Sequence, residues 1–564
     1  MRINQLGYLP TCAKRATWVT DSVEGEEFVL HAADGSVAFR GRSTPWPVRP
    51  EPTSALAVHV LDFTAVTEPG TYRLRVNGDH SHRFRIATDL YDRLAGDALR
   101  VFYLLRSGCP VDEQRAPGYG RPAGHAGHPP NRGDTAVPPW SGPDAARLYP
   151  GWTPSGPFDV SGGWYDAGDY GKYTVSGSIA VWQLLNVIDL LRRNPVAPGL
   201  AASEPMLVEE CHWQLDWLLR MQVPSGEPLA GMAFHRVHGT EWSPLPGLPD
   251  QDPTRRVLHR PSTTATLHLA AVAAQGSRLL RSGDEAYADR LLTAARVAYR
   301  AAHDHPSLIA PDDLGAFGGG PYGDPDPADD FYWAAAELWL ATGEDRYLRD
   351  VLGSAEHSAD VFDAAGYDFH RVAAPARLDL AMVASPLTDR DRVRDAVRQA
   401  AQRLLELQQR QPWGQPYAPP DGWDWGSNGR ILNNLVVLAS AHQLTGDPRF
   451  HDAVATGADY LLGRNALGQS YITGHGTDVT SHLRTRQFGH DLDPALPPPP
   501  AGAIAGGANS THTPGFPSDP RLAGLAPQWC YLDEPTSETT NDICIRWNAP
   551  LTYIATYLSR TVAE

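Results

Sequence analysis

The sequence predicts a multidomain chain: a small β-sandwich over residues 1–88, followed by an all-α barrel over residues 89–564. Three observations carry this reading. Near the N-terminus, apolar and polar residues alternate on either side of Asp34-Gly35 and Asn77-Gly78, the pattern of β-hairpins whose turn residues must take positive φ. After Asp89 the apolar spacing changes to that of amphipathic helices. The helices come in pairs with a recurring joint, and joints every ~45–60 residues are the mark of stacked helical hairpins.

The strands come first. Phe28-Val29-Leu30 and Val37-Ala38-Phe39 flank Asp34-Gly35. Tyr72, Leu74 and Val76 precede Asn77-Gly78, and Phe84 and Ile86 follow it. Residues 56–61 supply another apolar strand, and roughly seven strands make a sandwich. The helical segments are 89–106, 172–193, 204–221, 262–281, 285–302, 328–341, 345–362, 377–385, 389–409, 428–444, 448–463 and 545–561. Leu280-Arg-Ser-Gly283-Asp-Glu, Ala341-Thr-Gly343-Glu-Asp and Leu444-Thr-Gly446-Asp-Pro are joints, and Pro386-Leu-Thr-Asp389 is a variant without glycine. The glycine takes the left-handed position that ends one helix, and the acid sits at the positive start of the next. Hairpins closing on themselves make an (α/α)6 barrel with long irregular loops at one rim, here 107–171, 222–261, 303–327, 410–427 and 464–544.

Composition narrows the function. With 564 residues and 42% of them apolar, the chain has ample material for a core, which excludes wholesale disorder. The net charge of −17 argues against a nucleic-acid partner, which needs a cationic face. The N-terminus shows no basic segment followed by an apolar one, and the most apolar stretch, 178–191, is interrupted by Gln183, Asn186 and Asp189. The expectation is therefore a cytoplasmic protein with no membrane span. Five cysteines without a CxxC pair indicate reduced thiols, neither a disulfide framework nor a thiolate zinc site.

The sharpest motif is Gly162-Gly-Trp164-Tyr165-Asp166-Ala-Gly-Asp169-Tyr-Gly-Lys-Tyr173. Two carboxylates three residues apart, framed by glycines and aromatics, can hold a water and take its proton. A calcium loop or a helix N-cap is the competing reading of the same pattern.

This motif resembles the catalytic-base motif of glycoside hydrolase family 9, the cellulase family with an (α/α)6 barrel. The resemblance extends along the chain: Asn4-Gln-Leu-Gly-Tyr-Leu-Pro10 resembles the start of the family's immunoglobulin-like domain, and Arg121-Pro-Ala-Gly-His125, Gly231-Met-Ala-Phe-His235, Trp425-Gly-Ser-Asn428 and Leu462-Gly-Arg-Asn-Ala-Leu-Gly468 add to it. It implies an inverting hydrolase of β-1,4-glucosidic bonds in glucans or cello-oligosaccharides. Asp169 is then the base, with Asp166 helping to hold the water. In the family's C-terminal motif, Tyr531, Asp533, Asn548 and Ala549 fall in register, while Asp542 stands where the acid is usually Glu. Glu538 replaces an aromatic and is the alternative acid; Cys544 replaces a small residue. An Asp is one methylene shorter, and a misplacement of about 1 Å costs ~10²-fold. By the same resemblance His482 and Arg484 bind sugar hydroxyls, an ordinary loop histidine and surface arginine being the other reading. Tyr165, Tyr531 and Asp533 are substrate-binding candidates from the matched motifs, His235 suits substrate contact or packing, and Trp164 and Trp425 are loop tryptophans suited to stacking. Loop tryptophans Trp152, Trp242, Trp413, Trp423 and Trp529 suit stacking on sugars, and Trp213, Trp217, Trp333 and Trp339 suit the core.

No cofactor is required. Asp324, Asp326, Asp329 and Asp330 cluster before a helix, and the resemblance points to a structural calcium at Asp329 and Asp330, with helix capping as the other reading. The expected partner is an oligosaccharide or polysaccharide. Two other functions fit the residues: an exo-β-glucosaminidase acting on chitosan oligomers, and a carbohydrate-binding protein with impaired catalysis.

Overall fold

The computed structural model describes residues 1–193, 203–312, 318–513, 516 and 518–559. The N-terminal strands are β1 (Gly7–Tyr8), β2 (Arg15–Val19), β3 (Glu27–Ala32), β4 (Val37–Arg42), β5 (Thr44–Pro45), β6 (Val58–Asp62), β7 (Gly70–Val76), β8 (Asp79–His80) and β9 (Phe84–Ile86). They form one sheet in the order β1-β9-β7-β3-β4, with β8 on β7, and a second in the order β2-β6-β5. Trp18, Phe28, Leu30, Leu61, Phe63, Leu74 and Phe84 fill the space between them. Asn77 and Gly78 both take positive φ, 46° and 89°, and close the turn so that Val76 pairs with Asp79, as a two-residue hairpin of this hand requires.

Twelve helices of nine residues or more follow among the described residues: α1 (Asp92–Leu104), α2 (Thr174–Arg193), α3 (Glu204–Arg220), α4 (Thr263–Leu280), α5 (Glu285–Asp304), α6 (Ala328–Thr342), α7 (Asp345–Gly353), α8 (Ala373–Met382), α9 (Arg390–Gln409), α10 (Ser427–Thr445), α11 (Pro448–Leu461) and α12 (Ile545–Leu558). The even-numbered helices pack in a closed ring, α2-α4-α6-α8-α10-α12 and back to α2, and the odd-numbered ones lie outside it. The sequence dictates which is which. Inner α4 reads TTATLHLAAVAAQGS and is buried on all sides. Outer α5 buries one side, with Tyr287, Ala288, Leu291, Ala294, Ala295, Ala298, Tyr299, Ala301 and Ala302 inward, an apolar face at helical spacing. Each large apolar side chain fully withdrawn from water contributes roughly 1.5–3 kcal/mol.

Helix α2 is long and apolar enough to cross a membrane, but 89% of its apolar window is buried inside the protein. Its apolarity is that of an inner barrel helix. Gly343 (φ 68°) and Gly446 (φ 70°) end α6 and α10 in the left-handed conformation. At the third joint the acid acts instead: Asp284 caps α5 by accepting the Tyr287 N–H. Two predicted helices differ from those observed. The 345–362 segment stops at Gly353, because Ser354 turns extended and caps a separate 3₁₀ turn, Ala355–His357. The 377–385 segment starts earlier, at Ala373, since Pro375 sits among the first turn's N–H groups, which have no helical acceptor anyway. Residues 560–561 of the last predicted helix lie outside the described residues.

The sandwich is fastened to the barrel by the NQ pair of its first segment. Asn4 Nδ2 donates to Asp459 Oδ1 on α11 (2.8 Å) and to Tyr91 Oη (3.2 Å), while Asn4 Oδ1 accepts the Leu6 and Gly7 N–H groups. Gln5 Oε1 accepts the N–H groups of Thr477 and Asp478, both at 2.7 Å. Burial pushes the Asp459 carboxyl up to about 7. Asn4→Ala removes a donor from this buried group, which costs about 1–3 kcal/mol. A lowered thermal midpoint is expected, and an unchanged one shows that the contact contributes nothing.

Candidate active site

The rim loops surround a cavity of about 520 Å³. Its lining includes Asp169 and Tyr173 just before α2, Tyr322 before α6, Asp368 and Phe369 before α8, Trp425 and Arg430 around the start of α10, and Asp542, Cys544 and Arg546 around the start of α12. The cavity thus sits at the N-terminal ends of inner helices, where the helix dipoles favour negative charge.

Asp166 and Asp169 occupy different environments. Asp166 lies beneath the cavity floor, where its carboxylate meets Ser176 Oγ, Tyr322 Oη (2.5 Å) and Cys544 Sγ (3.7 Å). Burial raises its pKa to about 6, against the lowering effect of the two hydroxyl donors. Asp169 faces the cavity. Its Oδ2 accepts the Gly171 N–H (2.8 Å) and the Tyr173 hydroxyl (3.3 Å), which leaves Oδ1 for a water.

Gly168, between them, joins three segments that are far apart in sequence. Its N–H donates to Asp542 Oδ1 at 3.0 Å, and its carbonyl accepts the Arg486 backbone N–H (3.1 Å) and guanidinium (2.9 Å). Ala167 pairs with Cys544 and Arg484 pairs with Asp542, each as a short β-bridge. A Cβ on Gly168 would lie 2.2 Å from the Arg484 carbonyl oxygen and 2.7 Å from Asp542 Oδ1. Glycine is required here for close approach, not for an unusual φ.

Asp542 Oδ1 also accepts the Ile543 N–H (2.9 Å). Burial pushes this carboxyl well above the usual range; the Asp169 and Glu538 charges add to the shift, and Arg484 opposes it. Glu538 stands four residues upstream, lines the same cavity and pairs with Arg484 (3.2 Å). On another wall Asp368 is clamped by Arg546 and by Arg430 (3.4 Å). Despite its burial, these cations hold its carboxyl down at about 2. The Arg546 guanidinium lies over the rings of Trp547, Phe369 and Tyr322.

Of the residues singled out in the sequence, Asp169, Asp542, Glu538, Arg484 and Trp425 line the cavity, and Asp166 supports its floor. Trp164, Tyr165, His235, His482, Tyr531 and Asp533 do not reach it. Trp164 is buried against Phe102 and donates to Glu210. Tyr165 is buried on His125, and His235 is held by Ser262 Oγ and the Pro321 carbonyl. His482 turns its ring outward to Asp491 (2.7 Å). Tyr531 is buried on Thr480 and Asn541. Asp533 accepts the N–H groups of Ser481 and His482 and the Thr480 hydroxyl, which knots that loop instead of meeting a ligand. Of the loop tryptophans, Trp242 and Trp425 line the cavity, while Trp164, Trp413 and Trp423 are core. Sequence reasoning missed Tyr173, Tyr322, Asp368, Phe369, Arg430, Arg486 and Arg546. The loop carrying Asp368 was partly absorbed into an overlong helix; an acid between aromatics in Tyr367-Asp-Phe369 was the available signal.

A second acidic group lies behind Tyr322. Asp324, Asp329 and Asp330 bring ligand oxygens within 4.8 Å of one another, while Asp326 turns out and caps Ala328. Asp324 Oδ2 and both Asp330 oxygens are buried without hydrogen-bond donors. His268 contacts the Val175 carbonyl through Nδ1, so the neutral ring presents a bare Nε2 2.9 Å from Asp330 Oδ1. Burial and mutual repulsion raise Asp324 to about 8 and Asp329 to about 7. Lone pairs crowded in this way call for a proton or a cation, and the donor set fits a hard divalent ion.

Comparison with known proteins finds relatives along the whole chain. Residues 91–555 match the profile of glycosyl hydrolase family 9, and residues 1–81 match that of the cellulase N-terminal Ig-like domain. Endoglucanase C of Cellulomonas fimi is 48% identical over 99% of this chain, which spans 52% of that protein's length. Cellulose 1,4-beta-cellobiosidase of Acetivibrio thermocellus is 36% identical over 99% of the chain and 67% of its own. The solved structure of a Bacteroides ovatus GH9 protein superposes with a TM-score of 0.84 at 29% identity, covering 99% of this chain and 98% of that one. The packing at Gly168 gives a direct check on the cavity. Gly168→Ala is expected to leave the fold intact and to lower turnover by about 10²-fold through displacement of Asp542; near-normal turnover in the folded variant contradicts the tight packing.

Proposed function

The chain belongs to glycosyl hydrolase family 9, and from that premise we propose that it hydrolyses β-1,4-glucosidic bonds of glucans or cello-oligosaccharides with inversion. The observation that carries this is the pairing of Asp169 and Asp542 in one cavity, the first open to water and the second holding a raised pKa. Asp169 Oδ1 takes a proton from a water as it attacks the anomeric carbon, and Asp166 orders the site from below through Tyr322. Asp542 Oδ2 protonates the departing glycosidic oxygen, while Oδ1 stays fixed on the Gly168 amide. Inverting hydrolysis needs these two roles on opposite faces of the sugar. Arg484 and Arg430 suit hydroxyl hydrogen bonds, and Trp425 and Trp242 suit stacking on sugar faces. The relatives are named for glucans, which favours glucose units over the cationic sugars of chitosan.

Glu538 is assigned a supporting part. Paired with Arg484, it adds negative charge next to Asp542 and helps to keep that acid protonated. The acidic cluster would hold a calcium-like ion through Asp324, Asp329 and Asp330 and tie the Tyr322 loop to α6. The ion's contribution is structural.

Incubation with cellotetraose tests the whole reading. Release of α-anomeric product is expected, with chitosan tetramer left intact; no cleavage of cellotetraose overturns the proposal. Asp542→Asn is expected to cut cellotetraose turnover by roughly 10²–10⁴-fold, the usual worth of a general acid, while sparing an aryl cellobioside whose leaving group needs no proton. Glu538→Gln is expected to retain activity. Loss of the neighbouring negative charge lowers the Asp542 pKa, so the alkaline limb of the pH–rate profile should move to lower pH. If Glu538→Gln abolishes turnover and Asp542→Asn does not, the acid is Glu538. For the cation, chelation is expected to lower the melting temperature and calcium to restore it, with Asp330→Asn insensitive to both.

A further inference from the structure

The sandwich and the barrel meet at a second place, away from the asparagine contact. The loop after Pro10 brings Cys12 against the first turns of α11. Cys12 Sγ lies 3.4 Å from His451 Nδ1, and the ligand atoms of Cys12, His451 and Asp452 all fall within 4.8 Å of one another. We propose that these three side chains form a binding site for a zinc-class divalent ion that bridges the two domains.

The donor types favour such an ion. Thiolate, imidazole and carboxylate together suit zinc and cobalt, whereas calcium takes oxygen ligands. The distance fits as well: with Zn–S about 2.3 Å and Zn–N about 2.0–2.1 Å, a tetrahedral ion separates its sulfur and nitrogen ligands by about 3.5 Å. The ligands are held before any ion arrives. The Ala13 N–H donates to Asp452 Oδ1 at 3.0 Å, which aligns the carboxylate with the loop. Lys14 Nζ is tied to the Pro10 and Cys12 carbonyls, each at 2.7 Å, which fixes the turn around the thiol. The sulfur is buried, while His451 and Asp452 are half-exposed, so an ion has a route in and a solvent-side position for a fourth ligand. The His442 ring packs beside His451, 5.2 Å between centroids, with Nδ1 on the Tyr557 hydroxyl. None of these residues lines the catalytic cavity, so the site belongs to the domain junction and not to the chemistry.

Cobalt titration of the full-length, reduced, metal-stripped protein tests this. One equivalent of Co(II) is expected to produce an intense near-ultraviolet thiolate-to-cobalt band with the visible bands of a tetrahedral ion, and zinc should displace it. The acidic cluster, which has no sulfur, cannot give the thiolate band. Cys12→Ser is expected to abolish that band with cellotetraose turnover unchanged. His451→Ala should weaken cobalt binding by about 10-fold or more, with an unchanged far-ultraviolet circular dichroism spectrum as the check that the variant is folded. Absence of the thiolate band, or its persistence in Cys12→Ser, overturns the proposal and leaves the contact as an S–H···N hydrogen bond.

Discussion

The catalytic rim depends on one close approach, the backbone of Gly168 against Asp542 and Arg484. Gly168 meets Arg486 and Asp542, 318 and 374 residues further along the chain, through the N–H and carbonyl of a single residue. The amide on one side fixes a carboxyl group, and the carbonyl on the other fixes Arg486. A side chain at this position would force the segments apart. The separation of the two proposed catalytic groups is therefore set by backbone contact, which is stiffer than any side-chain arrangement.

That stiffness bears on the proposed acid, since Asp542 is one methylene shorter than the glutamate that the family resemblance implies at this position. A longer side chain would reach into the cavity past the Gly168 amide. The shorter one rests on it and takes a second bond from its own neighbour, Ile543. The local charges are arranged to match: Asp169 and Glu538 raise the affinity of Asp542 for a proton, and Arg484 balances Glu538 without neutralising the whole site. By contrast, Asp368 is clamped by two guanidinium groups and kept ionised. Carboxyl groups sharing one cavity are thus held in different protonation states by their neighbours.

Much of this was legible in the sequence, for identifiable reasons. Helix periodicity and the Gly343 and Gly446 joints revealed the barrel, because inner and outer helices differ in how much of their circumference is apolar. The Asn77-Gly78 turn exposed the sandwich. The Asp166–Asp169 loop stood out because its glycines and acids have no role in a regular element. What escaped were residues whose meaning is purely spatial. Arg546 and Arg430 look like ordinary helix residues until both close on Asp368. Conversely, Trp164, Tyr165 and His235 sit inside or beside conspicuous motifs, yet they pack behind the wall and hold it up. His482 shows the same limit, since its ring turns to Asp491 and not to the cavity.

The grip of Gln5 on Thr477 and Asp478 reaches beyond the junction itself. Those residues open the loop that runs on to Arg484, so the small N-terminal domain sets the course of a strand of the catalytic rim. A domain that only tethered or targeted its neighbour could be exchanged for another without loss. This one is part of the mould in which the rim is cast, so that loosening Gln5 would be felt at the rim as well as at the junction.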